Sequence, residues 1–142
     1  MLLYLAADLI WGTKIKATAQ AVGVTARPVR NLEMLEARLA DQPPEDPVRA
    51  VLLDLEVPEV ALSMLARLKG AAHGGTGVPT GASSVSGGTG LPTGVPIRVL
   101  CWAPHVERDL MDQARSAGAD AVMTRGAFDA RMELILKEWD GK

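Results

Sequence analysis

One stretch constrains this chain more than any other: Val51-Leu52-Leu53-Asp54-Leu55-Glu56-Val57-Pro58. Three large aliphatics run straight into an acid, and a proline stands four residues beyond it. A short, continuous apolar run reads as a strand buried on both faces, which belongs in a parallel sheet. That strand, predicted over about Arg49 to Leu53, delivers Asp54 to the carboxyl edge, where open α/β sheets place their ligand sites. Pro58 has no N–H for a strand ladder but suits the first turn of a following helix. The rest of the chain can be placed relative to Asp54.

Leu2 to Ala7 reads as a first buried strand ending at Asp8. From Thr13 to Val22, Ile15, Ala19 and Val22 share one helical face, and Gly23 supplies a C-terminal stop. Val24 to Val29 is a short second strand, which Pro28 assigns to a sheet edge. Asn31 is a good N-cap for a helix with Leu32, Leu35 and Leu39 as its buried stripe. After the loop around Pro43-Pro44 comes the Asp54 strand, then a helix from about Pro58 to Lys69. Ile97 to Cys101 is a fourth strand. Val106, Leu110, Ala114 and Ala117 mark a helix closed by Gly118, and Ala121 to Thr124 a fifth strand. Phe128, Met132, Ile135 and Trp139 mark one last helix. Five strands alternating with five helices predict a parallel sheet covered on both faces.

Residues 70–96 differ in kind. They hold nine of the fourteen glycines and no Asp, Glu, Lys or Arg. Gly74-Gly75-Thr76-Gly77-Val78-Pro79-Thr80-Gly81 recurs as Gly87-Gly88-Thr89-Gly90-Leu91-Pro92-Thr93-Gly94. Such a composition buries too little apolar surface to offset its ordering entropy. A phosphate-cradling loop is excluded because no Gly-Lys-Ser/Thr follows. The segment reads as a flexible Gly/Pro/Ser/Thr-rich insertion between helix 3 and strand 4 of a single domain spanning residues 1–142.

Composition excludes several function classes. The 142 residues carry a net charge of -2, which gives no basic footprint for nucleic acid. Cys101 is the only cysteine, so no internal disulfide forms and a reducing compartment suits the chain. The apolar start Met1 to Ala7 is interrupted by Asp8, so neither a secretory signal nor a membrane span is expected. These features predict a cytoplasmic domain.

Asp8 and Asp54 sit at the carboxyl ends of the first and third strands, which are neighbours when the strand order is 2-1-3-4-5. Two carboxylates there would hold a hard cation such as Mg. Alternatively, Asp8 caps the following helix and Asp54 is a solvated strand-end residue.

The Asp54-to-Pro58 spacing and the segment Ala117-Gly118-Ala119-Asp120-Ala121-Val122-Met123-Thr124-Arg125 together resemble the CheY-like receiver domains of two-component response regulators. The resemblance spans nearly the whole chain apart from residues 70–96. It implies a flavodoxin-like (βα)5 fold with strand order 2-1-3-4-5, and it makes Asp54 the counterpart of the phospho-accepting aspartate. Asp8 matches one of the two acids that hold magnesium in the family; the other position is Ala7. Arg125 stands where the family has a phosphate-contacting lysine, followed by Gly126 in place of proline. The hydroxyl residue ending strand four falls on Cys101, Trp102 or Ala103, none of which is Ser or Thr. The aromatic switch position corresponds to Val122.

These departures have physical consequences. Losing one acid weakens the field that attracts a divalent cation. Arginine keeps the charge but not the compact ammonium geometry. Without the hydroxyl or the aromatic, a phosphoryl group makes no differential contact with two states and cannot shift them. The expectation is a degenerate pseudo-receiver, not an enzyme, that acts through protein–protein contacts and requires no cofactor, with Mg bound weakly at Asp8 and Asp54 if at all. Its partner would be a histidine kinase or an output protein, engaged by the last two helices with strand five; a homodimer also fits. Two alternatives stand. One is a working response regulator phosphorylated on Asp54; the other is a small-ligand binder of the flavodoxin-like class using the same carboxyl edge. Cys101 near His105 raises thiol catalysis, but no third group supports it, and a strand cysteine is more often a small buried hydrophobe. Trp102 would either plug the vacated pocket or stand exposed as a partner anchor.

Overall fold

The computed structural model describes residues 1–70 and 97–140. The proposed insertion, residues 70–96, lies outside the described residues except for the backbone of Gly70. The strands are β1 (Leu2–Leu5), β2 (Ala26–Pro28), β3 (Ala50–Asp54), β4 (Arg98–Ala103) and β5 (Ala121–Thr124). The helices are α1 (Leu9–Val22), α2 (Leu32–Ala40), α3 (Pro58–Leu65, continued by one π-turn, Ala66–Gly70), α4 (Arg108–Ser116), α5 (Arg125–Ala130) and α6 (Met132–Asp140).

Burial follows position in the sheet. β1 and β3 are buried at every residue and β4 at all but its first, whereas β2 and β5 are nowhere fully buried. Aliphatic runs that cannot be solvated take the centre, and the proline-bearing β2 takes an edge. The five strands pair in parallel in the order β2-β1-β3-β4-β5. Side-chain alternation then splits the core in two. Leu3, Leu5, Val51, Leu53, Val99, Cys101 and Ala103 pack under α2, α3 and α4. Leu2, Tyr4, Ala50, Leu52, Leu100 and Trp102 pack under α1, α5 and α6.

Helix ends obey local chemistry. The Asn31 side chain accepts the Met34 N–H at 2.7 Å, and Gly23 closes α1 at φ 77°. Pro58 opens α3, as the sequence predicts.

Three expectations need correcting. Leu32, expected in the buried stripe of α2, is exposed at the first position of that helix, where the side chain lies beyond the sheet it would cover. The last helix is two helices, because the Arg131 backbone (φ -115°, ψ 14°) leaves the helical region between α5 and α6. All four predicted core residues of that stretch are nonetheless buried, since a short break leaves both stripes facing the sheet. Val106 is not part of the buried stripe of α4. It is 72% exposed, in the turn before the helix starts at Arg108. Among the described residues, no helix is long and apolar enough to cross a membrane.

Candidate functional site

β3 ends at Asp54, and the register of the sheet places Trp102 of β4 beside it. The carboxylate is fully buried. Its Oδ2 accepts the Ala7 N–H at 2.9 Å and its Oδ1 accepts the Glu56 N–H at 3.0 Å. Burial pushes the Asp54 carboxyl up from its ordinary value. The Ala7 N–H and the Arg125 charge pull it back down, and the charge of Asp8 pushes it further up. Low local polarisability disfavours the charged form, and two amide dipoles only partly replace water.

Asp8 lies at the exposed rim and caps α1, its Oδ1 accepting the Trp11 N–H at 2.9 Å. The helix-capping alternative for Asp8 therefore holds, while the charge of Asp8 is still felt at Asp54. The solvated alternative for Asp54 does not hold.

Arg125 starts α5 directly after β5, with Thr124 Oγ1 capping the helix by accepting the Ala127 N–H at 3.2 Å. Its guanidinium is ion-paired with Glu56 and lies 5.7 Å from the centre of the Trp11 ring. Asp54 makes no ion pair among the described residues. Arg125 acts on it only through the field.

The three residues considered for the strand-four hydroxyl position divide by face. Cys101 and Ala103 pack into the core beneath α3 and α4. Trp102 lies on the opposite face, the one Leu52 and Leu100 occupy and that Asp54 shares by alternation. It is fully buried within β4, not beyond the strand, and is stacked on Phe128 at 4.3 Å with an interplanar angle of 12°. Trp11 closes the cluster at 6.1 Å from Trp102 and 6.0 Å from Phe128. The indole N–H of Trp102 and the Nε of Arg125 form no hydrogen bond among the described residues. Val122 pairs with Cys101 and packs half-buried on the α4 side, away from Asp54. Burial pushes the Cys101 thiol up to about 12, so it is protonated at neutral pH and inert as a nucleophile. His105 is exposed in the β4–α4 turn.

The donor set fits a divalent cation poorly. Both oxygens of Asp54 are taken by backbone donors and one oxygen of Asp8 by its helix cap. The neighbouring Glu56 is held by Arg125. Among the described residues, no group of three or more His, Cys, Asp or Glu is placed to hold a metal.

Sequence reasoning did not reach Glu56 or Phe128 as parts of this site. The available signal was an acid two residues past Asp54 together with an arginine at the start of the helix after strand five.

No protein-family model matches the chain, and no curated protein does. Solved structures do match. A response regulator from Thermotoga maritima is 13% identical with a TM-score of 0.65, covering 99% of this chain and 97% of that one. A receiver protein from Burkholderia phymatum is 18% identical with a TM-score of 0.65, covering 99% and 94%. A receiver domain from Saccharomyces cerevisiae, solved with a histidine phosphotransfer protein, is 11% identical with a TM-score of 0.69, covering 98% and 87%. With its five parallel strands in the order 2-1-3-4-5 and an aspartate at the tip of the third, this chain has the flavodoxin-like α/β fold of the CheY-like response-regulator receiver domains.

Proposed function

We propose that this is a receiver-like signalling domain of two-component type whose phosphorylation switch is degenerate, and that it works by binding a protein partner. The observation that carries this reading is that the chain's own side chains occupy the surroundings of Asp54. A stacked Trp102, one of the three positions at which the resemblance implies a hydroxyl, stands in register with it. Arg125, in the place of the phosphate-contacting lysine, is tied to Glu56. An incoming phosphoryl group would have to free one Asp54 oxygen from a backbone N–H and break the Arg125–Glu56 pair. It would then find no hydroxyl to draw inward. We assign the domain no catalytic residue and no required cofactor.

The proposed contact surface is α4 and β5 with α5 and α6, the two pieces of the last predicted helix. The yeast neighbour, captured with a histidine phosphotransfer protein, supports a protein partner of the same general kind, either a kinase-side or an output protein. The second reading is phosphorylation at Asp54 with help from Asp8 and Arg125. It is favoured by the placement of Asp54 and by a Burkholderia pseudomallei neighbour that carries a phosphorylated aspartate and a calcium ion.

A magnesium titration with and without beryllofluoride, a mimic of the phosphorylated aspartate, separates the two. Tryptophan fluorescence and amide NMR shifts report, with Asp54→Asn as control. The pseudo-receiver reading expects no saturable change at millimolar metal. Asp54-dependent shifts spreading into α4 and α5 would sink it and establish the phospho-switch.

A further inference from the structure

A crevice of about 600 Å³ opens at the carboxyl ends of β1 and β2, adjoining the Asp54 site, with Ala7 and Asp8 belonging to both. Its lining includes the apolar residues Tyr4, Leu5, Val57 and Val60, and it lies at the carboxyl edge of the sheet, where folds of this type take ligands. Two cations from different elements line it. Lys16 stands on α1, one helical turn beyond Gly12 and on the same face. Arg30 stands in the turn after β2. Neither makes an ion pair or a side-chain hydrogen bond among the described residues. The one carboxylate at the rim, Asp8, already accepts the Trp11 N–H.

Edge strands often carry cations to prevent strand pairing. That accounts for Arg27 but not for Lys16, which is on a helix. Nor does it account for a crevice lined by both charges and by apolar side chains. The field of Arg30 extends to the inner end of the hollow: burial pushes the Tyr4 phenol up, and Arg30 and Arg38 pull it back. Gly12 contributes no side chain to the helical wall. A Cβ there would stand in ordinary contact with Ala6 and Tyr4, at 3.8 and 3.9 Å, so the fold tolerates one.

We infer that this crevice binds a small amphipathic anion, with its phosphate or carboxylate held between Lys16 and Arg30 and its flat apolar body over Tyr4 and Val57. This goes beyond the partner-binding reading and does not depend on it, because no Asp54 chemistry is involved.

The test is an amide NMR titration of the full chain with phenyl phosphate, benzoate, inorganic phosphate and benzyl alcohol. The first two join head and body and differ in the head; the last two supply the head and the body alone. Saturable shifts at Gly12, Thr13, Lys16 and Arg30 are expected for phenyl phosphate or benzoate, with head or body alone about tenfold weaker. Lys16→Glu with Arg30→Glu lies on the exposed rim and leaves the fold intact, so it should abolish saturation. Gly12→Ala should weaken binding by narrowing the wall, and Asp54→Asn should leave binding unchanged. No saturable shift with either amphipathic anion, equal binding by the charge-reversed variant, or shifts centred on Glu56 and Arg125 would each overturn the assignment.

Discussion

The two edges of the sheet each hold an aspartate whose carboxylate accepts a backbone N–H, and they use it in opposite ways. At the amino edge, Asp120 Oδ2 accepts the Val99 N–H at 2.7 Å and meets the Lys69 ammonium at 2.8 Å, while its own N–H donates to the Val99 carbonyl at 2.8 Å. Gly118, two residues before it, turns the chain at φ 106°. At the carboxyl edge, Asp54 accepts two backbone N–H groups, is fully buried, and makes no ion pair among the described residues. The nearest candidate cation, Arg125, is bound to Glu56 instead. The first aspartate is a clamp: half-exposed, charge-matched and closed. The second is a buried carboxyl that burial pushes above its ordinary value, with Arg125 pulling it back only through the field. The Gly-Ala-Asp segment that carries the family resemblance therefore reports on how the fold is tied together, and says nothing about whether Asp54 can be phosphorylated.

The largest effect should come from the carboxyl edge. Trp102→Ala would open a cavity beside Phe128 and cost about 3–5 kcal/mol by urea unfolding. A loss below about 1 kcal/mol would show that Trp102 does not fill the space beside Asp54. At the amino edge, Gly118→Ala should cost about 1–3 kcal/mol, because its φ disfavours any Cβ. The new Cβ would also stand 3.1 Å from the Lys69 Cβ. Near-neutrality at this position would mean the turn relaxes and the clamp is looser than drawn.

The contrast between the two acids is sharpened by pH. Burial raises Asp54 above its ordinary 3.8 in the folded state, so the folded state binds the proton more tightly than the unfolded one. The resulting stabilisation is fully present below pH 3.8 and is lost as pH rises through the folded-state value. Asparagine does not titrate and loses one backbone partner equally at every pH. The melting temperature of Asp54→Asn minus that of the parent should therefore be larger at about pH 7 than at about pH 4, by about 2 °C or more. A difference of the opposite sign would mean the carboxylate is held in its charged form, as a salt-bridged acid would be.

The smallest effect is expected from removing Gly74–Gly94. The flanks are anchored independently, Lys69 by Asp120 and Arg98 by its guanidinium 4.4 Å over Trp139. Both belong to the edge opposite Asp54. Deletion should change stability by less than about 1 kcal/mol and leave the Ala7 and Glu56 amide resonances in place. A large drop in melting temperature would show that residues 74–94 are part of the domain's core.

Much of the fold was legible because it rests on short-range rules. Asn31 and Gly23 announce helix ends through their own hydrogen-bonding and φ preferences, and the structure uses both. The stripe Phe128, Met132, Ile135 and Trp139 announced burial but not the break at Arg131, since its spacing suits one helix or two. Val106 fits the α4 spacing, yet the helix begins only at Arg108. The candidate site was legible to the extent that one residue sits at one strand end. Asp8, Asp54 and Arg125 do converge, but their hydrogen bonds and ion pairs had no local signature. Glu56 was passed over because nothing within a few residues of it shows that it will meet an arginine from the far end of the chain.

The sequence by itself determined the order of the elements and the delivery of Asp54 to a strand end. Those follow from hydrophobic period, turn chemistry and residue identity, which act over a few residues. Only the tertiary structure decided that Trp102 turns inward onto Phe128, that Arg125 pairs with Glu56 and not with Asp54, and that Lys16 and Arg30 line one crevice. Each of these depends on which strands are neighbours and on which side chains compete for one buried volume or one charge. Such competition is settled by packing and desolvation between segments distant in the chain, where no local pattern reaches.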